Sequence, residues 1–503
     1  MIHMFFPGTK KFMNRFKVYF YIVIAIVSVI LIIYGINVFP IPGTDSRVFI
    51  PPALCYSKGL GFINPLYDIT FLPGLYANSA QNFQFNYYVP FFSMLLGTLS
   101  KIYPGVKTIF FICSLFSIAN LILYGKVISS LLPDHVSYTN KLIIICSVTY
   151  LATFILPTIG RPENLSSLLI FVVYIIYKKR TKINVKLYNT ILCILFAFIL
   201  STQIIGFYFS FLLFLTYEIL KSDNIYKTIL TNAIRFIIIA LVFLGILYLS
   251  PNGLFNTING IKIHGSWALT RSDRSAKLFF YYWIISPINF GFAIIFILAV
   301  IAYIKSLYTE SKKIKKIQFT LLMAIQLLIL YSIPKFILYA APTVYNATQF
   351  IFPLSVYVLL CIMKMNVGTI KKICNGAIII AGIGGNILFF RWAILFVDYK
   401  TNGKDFNSAR RIVNKIVSEH KNVRITPDLW PLLDTFSSVQ LFVDSYKSGD
   451  VIILQQVYWR NLDSLIQKSI ILYDWRTEEE RKIFGIPLTN TPQCYSFIVC
   501  QMK

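Results

Sequence analysis

The stretch Val18–Phe39 reads VYFYIVIAIVSVILIIYGINVF and contains no charged side chain. A helix needs about 20 predominantly apolar residues to cross the hydrocarbon core of a bilayer. Four basic residues precede this stretch, which is typical of a first transmembrane helix whose N-terminus lies in the cytoplasm. The stretch is too long for the apolar region of a cleavable signal, and no clear small-residue cleavage site follows it. It therefore predicts a retained membrane helix.

Apolar stretches recur along the chain. Of its 503 residues, 57% are hydrophobic and 13% are charged, a balance that a soluble domain does not tolerate. We expect an α-helical polytopic membrane protein with about eleven transmembrane helices. The predicted spans are 18–38, 108–130, 141–157, 163–177, 187–203, 205–220, 228–250, 278–304, 316–333, 341–363 and 373–396.

The charge pattern supports this topology. The net charge is +27, but the lysines and arginines lie in short loops between apolar segments rather than on one soluble face. This distribution follows the positive-inside rule and argues against a nucleic-acid partner. One segment, 88–102, is apolar but short, and counting it as a span would place the lysine clusters outside. We therefore expect it to be an interfacial or re-entrant helix.

The predicted topology places three larger segments outside a plasma membrane. A first outer loop covers 39–107 and a second covers 251–277, both within a transmembrane domain of residues 1–397. The tail, 398–503, contains 12 of the 20 carboxylates and has shorter apolar runs. A helix is predicted over 407–420, and strands are predicted at 451–454 and 496–499, so the tail reads as an extracytoplasmic α/β domain. The eight cysteines are scattered and predict neither a disulfide framework nor a metal site.

The membrane region contains only eight carboxylates, so each is a candidate for chemistry. Asp45 follows the first helix in the sequence Gly43-Thr44-Asp45-Ser46-Arg47. A carboxylate held there by a Pro- and Gly-containing turn can act as a general base. The alternative is that Asp45 caps a helix that begins near Ser46.

A second candidate is Glu163, at the outer start of the fourth span. In the functional interpretation Glu163 is a second catalytic acid, and Arg161 is either a phosphate contact or the ion partner of Glu163. In the alternative interpretation Glu163 only suits the positive end of a helix. Four basic residues in the second outer loop oppose the inside-positive trend, which indicates either an anionic ligand or contact with lipid headgroups. Lys335 is a further phosphate contact or a lysine that reaches the interface. The predicted phosphate-binding residues are Arg161, Lys262, Arg271, Arg274 and Lys335.

Together these motifs resemble the glycosyltransferase C superfamily, in particular the bacterial branch related to protein O-mannosyltransferases and the aminoarabinose lipid A transferase. The resemblance rests on Asp45 in a long first outer loop, on the segment 57–61 (SKGLG) and on the segment 88–91 (YVPF). Further matches are Arg161 with Glu163, and Lys335 with Tyr339 before Pro342. It implies that Arg47, Asp68, Tyr88, His264 and Tyr339 line the substrate site.

The resemblance implies an inverting transfer of a sugar from a polyprenyl-phosphate carrier to an acceptor hydroxyl at the outer face of the membrane. Asp45 would take the proton of the acceptor, and the departing lipid phosphate would need positive charge rather than a strong acid. No cofactor or metal is expected. The partners implied are the lipid-linked donor, a glycan, lipid or protein acceptor, and membrane lipids. The alternatives are a flippase or transporter of lipid-linked saccharides and a polymerase or ligase of surface polysaccharide.

Overall fold

A computed structural model describes most of the chain. The described residues are 15–42, 46–64, 89–131, 138–156, 159–270, 294, 297–305, 308, 314–332, 349–364, 368–434, 439–441, 446–455, 462–476, 482–483, 486–487 and 494–503.

Helices account for most of the described residues, and they follow the predicted order. The first ten are α1 Arg15–Ile36, α2 Ser46–Ser57, α3 Phe91–Leu99, α4 Val106–Leu131, α5 Tyr138–Ile155, α6 Glu163–Lys178, α7 Val185–Thr202, α8 Ile204–Leu220, α9 Ile225–Tyr248 and α10 Leu254–Thr270. They are followed by α11 Lys316–Ser332, α12 Ile351–Lys364 and α13 Thr369–Thr401.

Five of these helices are long and apolar enough to cross a membrane, by length and composition: α1, α4, α7, α9 and α13. The chain is therefore treated as a membrane protein, as its composition predicts. The short helix α3 spans about 14 Å at 1.5 Å per residue, less than half of a bilayer core. A 3₁₀ turn, Ser100–Ile102, follows α3 directly, and the interfacial or re-entrant placement of the segment 88–102 stays a prediction. Most of the predicted span 278–304 lies outside the described residues, although 297–305 are helical.

The C-terminal region forms a small α/β unit, as predicted. Helix α14 (Phe406–Glu419) is followed by β1 (Val423–Ile425), β2 (Val439–Leu441) and β3 (Val451–Gln455). The short helix α15 (Leu462–Gln467) precedes β4 (Ser469–Trp475), and β7 (Phe497–Met502) ends the chain. A separate two-stranded pair consists of β5 (Lys482–Ile483) and β6 (Ile486–Pro487).

The main sheet has the order β2-β1-β3-β7-β4. Strands β2, β1 and β3 are parallel, whereas β7 runs antiparallel to both β3 and β4. Side chains on one face of this sheet and the buried residues of α14 belong to a single hydrophobic cluster that also includes the core of α1, α4 and α5. The α/β unit is thus packed onto the helix array rather than tethered to it.

The junction between the two parts is built around Tyr399. Its hydroxyl donates to the carbonyl of Asn37 at 2.7 Å and accepts from the amide of Phe406 at 2.8 Å. The ring of Phe39 packs between Tyr34 and Tyr399, with centroid distances of 4.9 and 5.3 Å. Helix α13 continues through the predicted domain boundary at 397/398 and ends at Thr401, so no flexible linker separates the parts.

Asp405 caps the first helix of the α/β unit. Its side chain accepts a hydrogen bond from the amide of Ser408 and pairs with Lys400 at 3.1 Å. Burial works to raise the pKa of Asp405, but the Ser408 amide and the Lys400 ammonium outweigh it, and the net effect lowers that pKa. The cap therefore holds a carboxylate at the positive end of α14, where a negative charge is favourable.

Candidate functional site

The start of α6 carries a buried ion pair. The guanidinium of Arg161 binds Glu163 through two parallel hydrogen bonds, Nη2 to Oε1 at 2.7 Å and Nε to Oε2 at 3.1 Å. Glu163 is 1% exposed, and Oε1 also accepts a longer bond from Nε2 of Gln203 at 3.4 Å. Arg161 is thus the ion partner of Glu163, one of the two roles that the sequence offers for it, and its role as a phosphate contact stays a prediction. Glu163 is also the first residue of α6, as its preference for a helix N-terminus predicts.

The turn before this pair lies against the start of α2. Gly160 adopts a left-handed conformation with φ +87, which favours glycine because it has no Cβ. A Cβ added there would lie 3.5 Å from Cβ of Ser46 and 3.5 Å from the side chain of Ile50. The structure therefore places Gly160, three residues before Glu163, close to Ser46, the residue that follows Asp45 in the sequence. Two candidate segments more than 110 residues apart meet at this point.

A seam of buried polar side chains continues from the ion pair into the helix array. Asn120 of α4 donates to the carbonyl of Asn164 at 3.0 Å, and Ser166 of α6 donates to Oε1 of Gln349 at 2.8 Å. A Cβ on Gly206 would overlap Gln349 and lie 2.6 Å from Oγ of Ser166, so α8 approaches α6 closely here. Burying a polar group among apolar side chains costs free energy unless the group is hydrogen-bonded. The hydrogen bonds of this seam therefore form an ordered polar region beside the ion pair.

The α/β unit covers the same end of the helix array. The ammonium of Lys58, just after α2, donates to the carbonyl of Asp434 at 2.9 Å. The ammonium of Lys107, at the start of α4, lies 5.8 Å from the ring centroid of Phe406. Because α2, the start of α4 and the start of α6 lie together, the turn at Gly160 and the α/β unit belong to one end of the molecule.

Of the remaining predicted site residues, three lie in the described part of the chain and seven lie outside it. Lys262 is exposed on α10, which packs against α9, and it is not a partner of Glu163. Arg47 lies within α2 and His264 lies within α10, and the structure describes only the backbone at these two positions. The other predicted residues lie outside the described part of the chain: Asp45, Asp68, Tyr88, Arg271, Arg274, Lys335 and Tyr339. Their roles stay predictions.

Several of the buried polar residues near the Arg161–Glu163 ion pair were not predicted from the sequence, above all Gln203. It is the one residue between α7 and α8, has extended backbone, and is 2% exposed. An amide in an apolar helical hairpin is expensive in a membrane, and this was a signal that it has partners. Nothing in the local sequence pointed to Asn120 or Gln349, because their partners are distant in the chain.

A second buried charged cluster lies in α7, α8 and α9. Arg235 bonds Oδ1 of Asn189 through Nη2 at 2.7 Å and Oε2 of Glu218 through Nη1 at 3.2 Å. Nη1 also donates to Oδ1 of Asn232 at 3.0 Å, and Arg235 is 7% exposed. Arg235 was not among the predicted site residues, although an arginine near the middle of an apolar helix indicates a buried partner. No family model, curated protein or solved structure matches the chain.

Proposed function

We propose that the chain is an inverting glycosyltransferase that moves a sugar from a polyprenyl-phosphate carrier to an acceptor hydroxyl at the outer face of a plasma membrane. The observation that carries this proposal is the close approach of Gly160 to Ser46. It joins the segment after Asp45 to a buried arginine–carboxylate pair at the end of the helices that is covered by the α/β unit. A base and a phosphate-binding cation are the two groups that the reaction requires.

In this proposal Asp45 acts as the general base. Its carboxylate takes the proton of the acceptor hydroxyl while the acceptor oxygen forms a bond to the anomeric carbon. The bond between that carbon and the phosphate oxygen breaks on the opposite face, and its electron pair leaves with the lipid phosphate. The configuration at the anomeric carbon is inverted, and the products are the glycosylated acceptor, the lipid phosphate and protonated Asp45.

Arg161 is the proposed contact for the leaving phosphate. A guanidinium presents planar N–H donors that suit phosphate oxygens, and it keeps its charge when it is partly buried. Glu163 holds this guanidinium through two hydrogen bonds, so its proposed role is to orient Arg161. Lys262, Arg271 and Arg274 would supply further positive charge to the lipid phosphate, with Lys335 from a later loop.

The proposal is tested first by lipid and glycan profiling of cells with and without the protein. We expect one glycan product to disappear and a lipid-phosphate sugar to accumulate when the protein is absent. The purified protein in proteoliposomes should then transfer sugar from that donor. Asp45→Asn should abolish transfer, whereas the matched variant Asp223→Asn, whose side chain is exposed in the loop between α8 and α9, should retain it. Full transfer by an Asp45→Asn protein that inserts normally would rule out Asp45 as the base.

The transporter alternative is favoured by one observation, the buried Arg235–Glu218 cluster. Charged residues inside apolar helices often mark a transport pathway. A flippase would move a fluorescent lipid-linked saccharide across proteoliposomes without an acceptor, and Arg235→Gln would slow that movement. A transferase would leave the donor on its original side until an acceptor is added. A polymerase or ligase would be recognised by products of increasing length or by transfer of a whole polymer.

A further inference from the structure

Helix α13 carries an arginine inside its apolar part. Between Lys372 and Asp398 the sequence contains one charged side chain, Arg391. A straight helix separates Lys372 from Asp398 by about 39 Å, close to the thickness of a bilayer with its headgroup regions. Arg391 lies about 10 Å from Asp398 along the same axis. This places it just inside the hydrocarbon core, on the side of the α/β unit.

A stripe of exposed isoleucines leads from Arg391 towards the other end of α13. Ile387, Ile383 and Ile380 follow one another at helical spacing and are 64%, 53% and 61% exposed. Exposed isoleucines on a membrane helix match the acyl chains of lipids, which are equally apolar. On the other side of the arginine Leu388 is buried. Arg391 therefore lies at the border between the packed protein and the lipid-facing surface, where a membrane lipid can reach it.

The guanidinium of Arg391 has no acceptor among the described residues. Its Nε atom is enclosed by protein and makes no hydrogen bond. The two Nη atoms are not hydrogen-bonded in the described part of the chain either, but they are not enclosed, so both keep accessible surface. The ion pairs between described residues do not include Arg391. The forked end of the side chain, which carries four of its five N–H donors, is thus open to a ligand.

Two other arginines of the helix array do have acceptors within the protein. Arg161 binds the carboxylate of Glu163 through two hydrogen bonds. Arg235 is bonded to Asn189 and Glu218. A charge in an apolar environment is unfavourable unless it is paired, and such residues mark functional positions in membrane helices. The contrast indicates that the partner of Arg391 comes from outside the described residues.

Asp398 does not supply the missing counter-charge. It lies on nearly the same side of α13 as Arg391, but two turns separate them, a rise of about 10 Å. Asp398 is also buried, whereas the Nη atoms of Arg391 keep accessible surface. An acceptor for these Nη atoms therefore has to approach from the lipid side of α13.

We propose that Arg391 binds the phosphate group of a membrane phospholipid in the leaflet beside the α/β unit. A guanidinium presents parallel N–H donors that match two phosphate oxygens. Lipid phosphates lie just above the hydrocarbon core, and the long arginine side chain can meet them there. The acyl chains of the same lipid then run along Ile387, Ile383 and Ile380. This site is independent of the proposed function, since a phospholipid can occupy it in a transferase or in a transporter.

The test measures lipid binding without turnover. Native mass spectrometry of the full-length protein in dodecyl maltoside is combined with a titration of dioleoyl phosphatidylglycerol. The control lipid is dioleoylglycerol, which has the acyl chains without the phosphate. Arg391→Gln should weaken binding of the tightest phosphatidylglycerol about tenfold or more, the effect of losing hydrogen bonds to a charged group. Arg391→Lys keeps the charge without the fork and should lie between, and binding of dioleoylglycerol should not change.

The matched control is Arg411→Gln, which removes one positive charge from the exposed face of α14. It should bind phosphatidylglycerol as the unmodified protein does. Unfolding in lipid-free micelles gives a second measurement: Arg391→Gln should be at least as stable as the unmodified protein there, because it loses an unpaired charge. Added phosphatidylglycerol should stabilise the unmodified protein and Arg411→Gln more than Arg391→Gln.

Two outcomes would overturn the proposal. Equal affinity of Arg391→Gln and Arg411→Gln for phosphatidylglycerol would show that this arginine holds no phospholipid. A polyprenyl phosphate offers the same phosphate chemistry, so undecaprenyl phosphate is added as a competitor at equal concentration. If it displaces phosphatidylglycerol only from proteins that retain Arg391, the site belongs to a carrier lipid and the assignment to a phospholipid is wrong.

Discussion

The hydroxyl of Tyr399 is expected to contribute about 2 to 3 kcal/mol to the stability of the junction between the helix array and the α/β unit. The substitution Tyr399→Phe removes one oxygen atom and keeps the ring contacts with Phe39. It deletes two hydrogen bonds, to the carbonyl of Asn37 and from the amide of Phe406. Each bond contributes about 1 kcal/mol net, and a buried group left without a partner costs about 1 to 3 kcal/mol. Phe406 is 1% exposed, so its amide cannot turn to water without local opening.

Two measurements check this value. Reversible unfolding by sodium dodecyl sulfate in lipid–detergent micelles gives the change in unfolding free energy. Hydrogen exchange of the Phe406 amide gives the local effect, and 2 kcal/mol corresponds to about 30-fold faster exchange. The matched control is Tyr495→Phe, which removes a buried hydroxyl to which no described residue is hydrogen-bonded and should be neutral or slightly stabilising. Unchanged unfolding and unchanged exchange at Phe406 in Tyr399→Phe would refute the role assigned to this hydroxyl.

Three further predictions concern charge and sidedness. Glu163→Gln removes the carboxylate that Arg161 binds through two hydrogen bonds and should destabilise the protein by about 1 to 3 kcal/mol in the same unfolding assay, with part of the loss recovered by a second substitution, Arg161→Gln. Asp405→Ala should cost about 1 kcal/mol at neutral pH. The pKa of Asp405 is lowered in the folded protein, so its carboxylate stabilises the folded state above the ordinary pKa of 3.8. This stabilisation is lost as the pH falls through the folded pKa. The difference in unfolding free energy between Asp405→Ala and the unmodified protein should therefore disappear in acid. If the α/β unit lies outside the membrane, Ser448→Cys should react with an impermeant maleimide on intact cells. Lys182→Cys should react only after the cells are permeabilised. The reverse pattern would show that the proposed topology is wrong.

The helices were predictable because hydropathy is a local property. The start of α6 at Glu163 and the break at the end of α7 follow from a few neighbouring residues, and both appear where the sequence indicates. The same holds for α14 and for β3 and β7, whose periodicity is evident in short segments. The parallel pairing of β1 with β2 and β3 was not predictable in this way, since it depends on segments that are distant in the chain.

The candidate site was predictable only in part, for the same reason. A carboxylate beside a basic residue at the start of a helix marks Arg161 and Glu163 without any structural information. The close approach of Gly160 to Ser46 and the hydrogen bond from Ser166 to Gln349 depend on which helices are neighbours. Hydropathy fixes where helices begin and end but not their order around the array, so these partners could not be named in advance.

The α/β unit is attached to the helix array by several contacts. Helix α13 enters the unit without a break, and the Tyr399 hydroxyl fixes the end of α1 to the start of α14. The bond from Lys58 then fixes the far side of the same edge to α2. Three attachments at separate points restrict rotation of the unit about α13, so the carboxyl edge of its sheet is held towards the helices. If the protein is the proposed transferase, this attachment would keep the α/β unit beside the turn at Gly160 throughout the reaction.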